Sequence, residues 1–215
     1  MGKITGLESM QEVPAKVLLL YEAVGQLIEE NVDIKDIRVS TITDKAGIGK
    51  GTAYEYFDTK DEILACAIIY YMRKAVEEID TVLSLQNSFA EQVAFLLEEV
   101  QNKSAKQLYL LRFIHVMTDT SVFSRLVQKK MQTQDARQYL PIGIFVNMVE
   151  RAKRRGEIRT ELPTDYMIYT LFSKILSYVM CVTEDSIAGM EAEQIRHLVY
   201  RSILEELCEE KCKFG

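Results

Sequence analysis

At 215 residues the chain can bury a substantial core in one domain or two, and 48% apolar with 27% charged residues is an ordinary globular composition. No stretch approaches the roughly eighteen uncharged apolar residues of a membrane span, since Lys174 interrupts the best candidate. The net charge of −6 excludes a polybasic chain, so composition by itself offers no nucleic-acid footprint.

Three prolines, ten glycines and no Asn-Gly signal between alternating apolar runs predict an all-α protein. The opening MGKITGLESM lacks a signal peptide's apolar centre, and residues 1–12 read as a tail. With Cys66, Cys181, Cys208 and Cys212 scattered rather than framed for disulfides, a reducing cytoplasm is the expected location.

Pro14 opens a first helix to about Glu30, with Leu20, Val24, Leu27 and Ile28 on one face. After a loop, Asn31 to Asp36, a short helix from Val39 to Ala46 carries Val39, Ile42 and Ala46 at helical spacing. Gly47 breaks the pattern and Ile48 supplies an apolar plug. A second segment from Gly49 to about Tyr56 exposes Lys50, Thr52 and Tyr54 beside inward Ala53 and Phe57. Two short helices crossing at a glycine are a helix-turn-helix, whose second helix enters the major groove of DNA. Lys50 suits a phosphate or a guanine edge, and the hydroxyls of Thr52, Tyr54 and Tyr56 suit phosphate oxygens. Arg38, Thr41, Gly49 and Lys60 complete the expected DNA contacts, with Lys60 alternatively a solvated residue at a helix start. Residues 1–60 hold seven Lys and Arg against ten Asp and Glu, whereas residues 38–60 hold four against three. Any basic surface must therefore come from placement.

Thr59 to Glu62 and Ser88 to Glu91 are capping boxes. They predict helices from 59 to about 83 and from 88 to about 102. Further helices are expected over 105–117, 121–135 and 136–155, the last with a kink at Pro141 and Gly143. Arg151, Lys153, Arg154 and Arg155 precede Gly156; a nucleic-acid patch is one reading, and cations capping a helix end is the preferred one. Pro163 opens a helix to about Val182, and a last helix runs from about Glu191 to Cys208. Cys208 and Cys212 would share a helix face, either as a thiol or metal pair or, preferably, as plain thiols. No nucleophile elbow, phosphate loop, zinc helix or dinucleotide loop is present, so no catalytic residue, metal or cofactor is expected.

The stretch AGIGKGTAYEYFDTKDEIL resembles the DNA-binding signature of the tetracycline-repressor-like (TetR) family. Ala46, Gly47, Gly51, Thr52, Tyr54, Tyr56, Phe57, Lys60 and Leu64 sit in register, and Ala23, Val24, Leu27 and Ile28 fit the family's first helix. Thr43 departs, standing where alanine is usual. The resemblance implies a three-helix DNA-binding domain over 1–60 and a helical effector-binding and dimerisation domain over 61–215. It also implies a homodimeric repressor on a palindromic operator, released by a small apolar or aromatic effector. The pair of terminal helices would dimerise through Ile168, Phe172, Ile175, Val179, Ile195, Val199 and Ile203, unless both pack within one chain. Effector contacts would come from Tyr109, Arg112, Phe113, His115, Met117, Phe145, Asn147, Met148, Tyr169 and Phe172, which could equally be core. Two other functions stay open: a helical protein-interaction module, favoured by the acidic head, and a thiol or metal sensor.

Overall fold

The computed structural model describes Ile4 and residues 12–30, 32–101, 122–132, 141–183 and 189–209. Within them the chain forms α1 (Ala15–Glu29), α2 (Val39–Ala46), α3 (Lys50–Tyr56), α4 (Lys60–Ser84) and α5 (Phe89–Gln101). It continues with α6 (Val122–Met131), α7 (Pro141–Arg155), α8 (Thr164–Thr183) and α9 (Ala192–Leu207). Extended pairing among the described residues is limited to one isolated antiparallel bridge, Ile158 with Cys208, giving an all-α fold. The helix expected over 105–117 lies outside the described residues. Of the helix expected over 136–155, residues 136–140 lie outside the described residues, and α7 is described from Pro141 onward.

The helices fall into two units. The first contains α1, α2, α3, α6 and α4 as far as Ala75. Its boundary differs from the one expected at residue 60, and the reason is burial. Ile63, Leu64, Cys66, Ala67 and Ile68 of α4 join Leu20, Tyr21, Val24 and Ile28 of α1, Ile42 of α2 and Ala53 of α3 in a single apolar core. The Tyr21 ring sits 5.1 Å from that of Tyr70 and 6.3 Å from that of Phe57, tying α1 to α4 and to the end of α3. The three-helix head is therefore closed by more than two turns of the helix that follows it.

The second unit contains α4 from Val76, with α5, α7, α8 and α9. Here α8 packs on α7 and α9, and α5 packs against all three. Phe89, Val93 and Leu97 of α5, Met148 and Val149 of α7, Leu171 and Val179 of α8, and Ile203 and Leu207 of α9 are its buried members.

Both capping boxes form with one change. Thr59 Oγ1 accepts from the Glu62 N–H (3.2 Å) and Ser88 Oγ from the Glu91 N–H (3.1 Å). The two glutamates reach one residue beyond the cap, accepting from Asp58 N–H (2.7 Å) and Asn87 N–H (2.8 Å).

Candidate nucleic-acid interface

The turn between α2 and α3 is built by Gly47, whose φ of 67° and ψ of 27° place it in the left-handed region. The Gly47 N–H donates to Asp44 O (3.3 Å) and the Ile48 N–H to Thr43 O (3.0 Å), the paired bonds of a Schellman ending. Ile48 then packs against the head core, which fixes the direction in which α3 leaves. Thr43, the departure from the family pattern, is buried, and its hydroxyl donates to Ser40 O (3.1 Å), so the core takes up its polarity.

With Ala53 buried and Phe57 just beyond the helix also buried, α3 presents Lys50, Gly51, Tyr54 and Glu55 to solvent; Tyr54 is 52% exposed. Lys50 and Tyr54, four apart, share one face. Side-chain atoms added at Gly49 or Gly51 would meet nothing within 4 Å, so the backbone at the start of α3 is open to close approach. Arg38 and Thr41 are exposed on α2 and its cap, and Thr52 is half-buried. Tyr56 packs partly against the head core, and the Lys60 ammonium donates to Lys35 O (3.4 Å). Lys45, absent from the expected contacts, pairs with Glu30 at 2.8 Å. Glu55 and Gly51 were not among the expected contacts either; the spacing from Lys50 and Tyr54 is the signal that places them on the same surface.

The second unit sorts the remaining candidates. Tyr109, Arg112, Phe113, His115 and Met117 lie outside the described residues. Phe145 and Phe172 meet edge to face at 6.0 Å, and Met148 is fully buried on the same side of α7. Asn147 does not join them: it is exposed, and its amide donates to Asp80 Oδ2 (3.0 Å). Arg151, one turn on, donates to Asp80 Oδ1 through both terminal nitrogens (3.0 and 2.9 Å). Tyr169 is 67% exposed on the opposite face of α8 from Leu171 and Ile175, so it lines no interior site. Sequence reading missed two polar groups inside this unit. Among the described residues, Gln92 Oε1 and the Tyr178 hydroxyl are buried without a hydrogen-bond partner. Gln92 was legible as a lone polar residue among Phe89, Val93 and Leu96, on the apolar side of α5.

The dimer candidates divide by burial. Ile168, Ile175, Val179, Ile195 and Ile203 are buried within the chain, leaving only Phe172 and Val199 partly accessible. The outward faces are Tyr166, Tyr169, Ser173 and Met180 on α8 and Gln194, Leu198, Arg201 and Glu205 on α9. Between the two helices Glu206 accepts from Lys174 (2.7 Å), Tyr166 and Thr170, and the Lys174 ammonium beside it holds its carboxyl below the usual range. Burial, meanwhile, pushes the Tyr178 hydroxyl up.

The basic cluster divides its work locally. Arg151 serves Asp80, Lys153 donates to the Thr164 hydroxyl, and Gly156 (φ 68°) closes α7 with the same pair of bonds as Gly47. Cys208 lies beyond α9 in extended backbone, paired with Ile158, so the expected helix face shared with Cys212 does not begin there. Cys212 is outside the described residues.

No protein-family model matches the sequence, and no curated protein matches it. Solved structures do match in fold. The transcriptional regulator FadR from Bacillus subtilis, in complex with stearoyl-CoA, aligns at 17% identity and a TM-score of 0.60, over 86% of this chain and 96% of that one. A TetR transcription regulator from Haloarcula marismortui aligns at 18% identity and a TM-score of 0.62, over 90% and 98%. SmeT in complex with triclosan aligns at 16% identity and a TM-score of 0.64, over 93% and 94%. A helix-turn-helix head ending in α4, followed by a helical body of this kind, is thus the fold of the TetR-family transcriptional regulators.

Proposed function

We propose that the chain is a ligand-responsive transcriptional regulator, a repressor that binds a palindromic operator as a homodimer and leaves it when a small effector binds. It has no catalytic role and acts in the cytoplasm. The observation that carries this reading is the solvent face of α3, where a lysine, a tyrosine hydroxyl and backbone stripped of side chains at Gly49 and Gly51 stand together on a helix fixed by the Gly47 turn. That set offers a cation and a hydroxyl to phosphates and lets the helix sit deep in a groove. Two such helices reach successive major grooves when about 34–36 Å apart, which requires a second copy. The outward faces of α8 and α9, with Tyr169 and Leu198 at their centres, are the surfaces best fitted to supply it.

The effector is a small apolar or aromatic molecule held in the second unit, against Phe145, Met148 and Phe172. Gln92 and Tyr178 are the polar groups able to orient it, since each brings a buried atom that a ligand would satisfy. Triclosan, and the acyl chain of stearoyl-CoA beside its charged head, are apolar groups bound in structures of this fold. An effector that favours one state by about 1–3 kcal/mol changes operator affinity roughly 5–150-fold.

The test is selection of duplexes from a random pool, followed by a salt titration and a count of chains per site. Two chains on a two-fold symmetric sequence, with log K falling linearly against log salt, is the expected result. Lys50→Ala should weaken every sequence alike and flatten the slope by about one. The acidity of residues 1–60 favours a second reading, a protein-interaction module; salt-independent or absent DNA binding would select it.

A further inference from the structure

Of the four residues that α3 shows to solvent, Lys50, Gly51 and Tyr54 suit a partner made of phosphates, and Glu55 does not. Glu55 is exposed, adjoins Tyr54, and makes no hydrogen bond or ion pair with the described residues. It gives α3 nothing either, because an acid one residue from the C-terminal end of a helix faces the negative end of the dipole. A carboxylate there repels DNA of every sequence. Its presence on the open face has a use only if some sequences relieve the repulsion and others do not.

We infer that Glu55 is the specificity-determining residue of α3, accepting a hydrogen bond from the N4 amino group of a cytosine in the major groove. This assignment rests on the DNA-binding reading above. A carboxylate is an acceptor and nothing else. Guanine presents N7 and O6, both acceptors, and thymine presents O4 and a methyl group. Opposite either, the carboxylate loses water and gains no donor. Adenine offers its N6 amino group but sets the acceptor N7 beside it. Cytosine alone offers a donor with no acceptor of its own on that edge. Glu55 therefore selects by excluding wrong bases as much as by holding the right one.

The experiment compares wild type, Glu55→Ala and Glu55→Gln in duplex selection, with affinities then measured on the wild-type site and on versions changed at each position. Wild type should require cytosine at one position per half-site, by about 5–100-fold over thymine or guanine. Glu55→Ala should lose that preference at that position alone, while binding non-specific duplex more tightly. Glu55→Gln should move the preference to adenine, whose N6 and N7 match an amide's acceptor and donor. A uniform rise in affinity with unchanged preferences in both variants would mean a merely solvated carboxylate and would overturn the assignment. A wild-type chain that binds no duplex at all would overturn the DNA-binding reading and this inference with it.

Discussion

Alanine at position 47 puts a number on how the recognition helix is aimed. Gly47 has φ 67° and ψ 27°, and a side-chain carbon there would find nothing within 4 Å. No clash complicates the change, which leaves only the backbone term. A non-glycine residue in the left-handed region costs about 1–2 kcal/mol, and lower unfolded-chain entropy returns part of it. The net loss is about 1 kcal/mol, roughly a five-fold shift toward the opened turn. Gly156 is an internal control: its φ is 68°, its surroundings are equally empty, and it closes α7 in the other unit. The assay is amide hydrogen exchange at Ile48, bonded to Thr43 O, and at Glu157, bonded to Ala152 O. Gly47→Ala should speed exchange at Ile48 about five-fold, leave Glu157 unchanged and weaken DNA binding; Gly156→Ala should do the reverse at the two amides and spare DNA binding. Gly47→Asn should cost less than Gly47→Ala, because asparagine tolerates this conformation. Equal damage from asparagine and alanine, or no local acceleration, would refute the backbone argument.

Asp80→Ala removes the acceptor of Arg151 and Asn147, leaving a half-buried guanidinium without its carboxylate. It should lower the stability of the second unit by about 1–2 kcal/mol in urea unfolding, and Arg151→Met on that background should restore part of the loss. Lys174 and Tyr166 depress the Glu206 pKa, so the stability Glu206 contributes is fully present above its unfolded pKa and is lost as pH falls through the lower folded value. Unfolding measured downward from about pH 5 should accordingly show a shallower acid slope in Glu206→Gln than in wild type, and identical slopes would remove Glu206 from the acid response.

The head was legible almost residue by residue because its signals are local. A glycine needed at φ 67°, an apolar plug after it and three-and-four spacing fix α2 and α3 without reference to the rest of the chain. Both capping boxes were readable for the same reason. What could not be read was what covers each apolar face. Ile168, Ile175 and Ile203 show perfect helical spacing, but spacing is the same whether a neighbouring helix or a second chain lies against it. Tyr169 and Asn147 illustrate the converse, since residue type suggested an interior and helical phase turned them out of it. No composition shift marks Ala75, where the first unit's share of α4 ends, because the helix runs on without a linker.

The bridge between Ile158 and Cys208 bears on the order in which the second unit assembles. Its two backbone bonds, Arg159 N–H to Leu207 O (2.8 Å) and Glu209 N–H to Glu157 O (3.3 Å), close a loop that contains all of α8 and α9. Closing a loop of about fifty residues costs roughly 3.5 kcal/mol in chain entropy, while two such bonds return about 1–3 kcal/mol net. They cannot nucleate the closure by themselves. The helices must dock first, through Leu171, Val179 and Ile203, and the bridge then zips shut over a hairpin already formed. On unfolding the sequence runs backward, so the end of α9 frays before the helix pair separates.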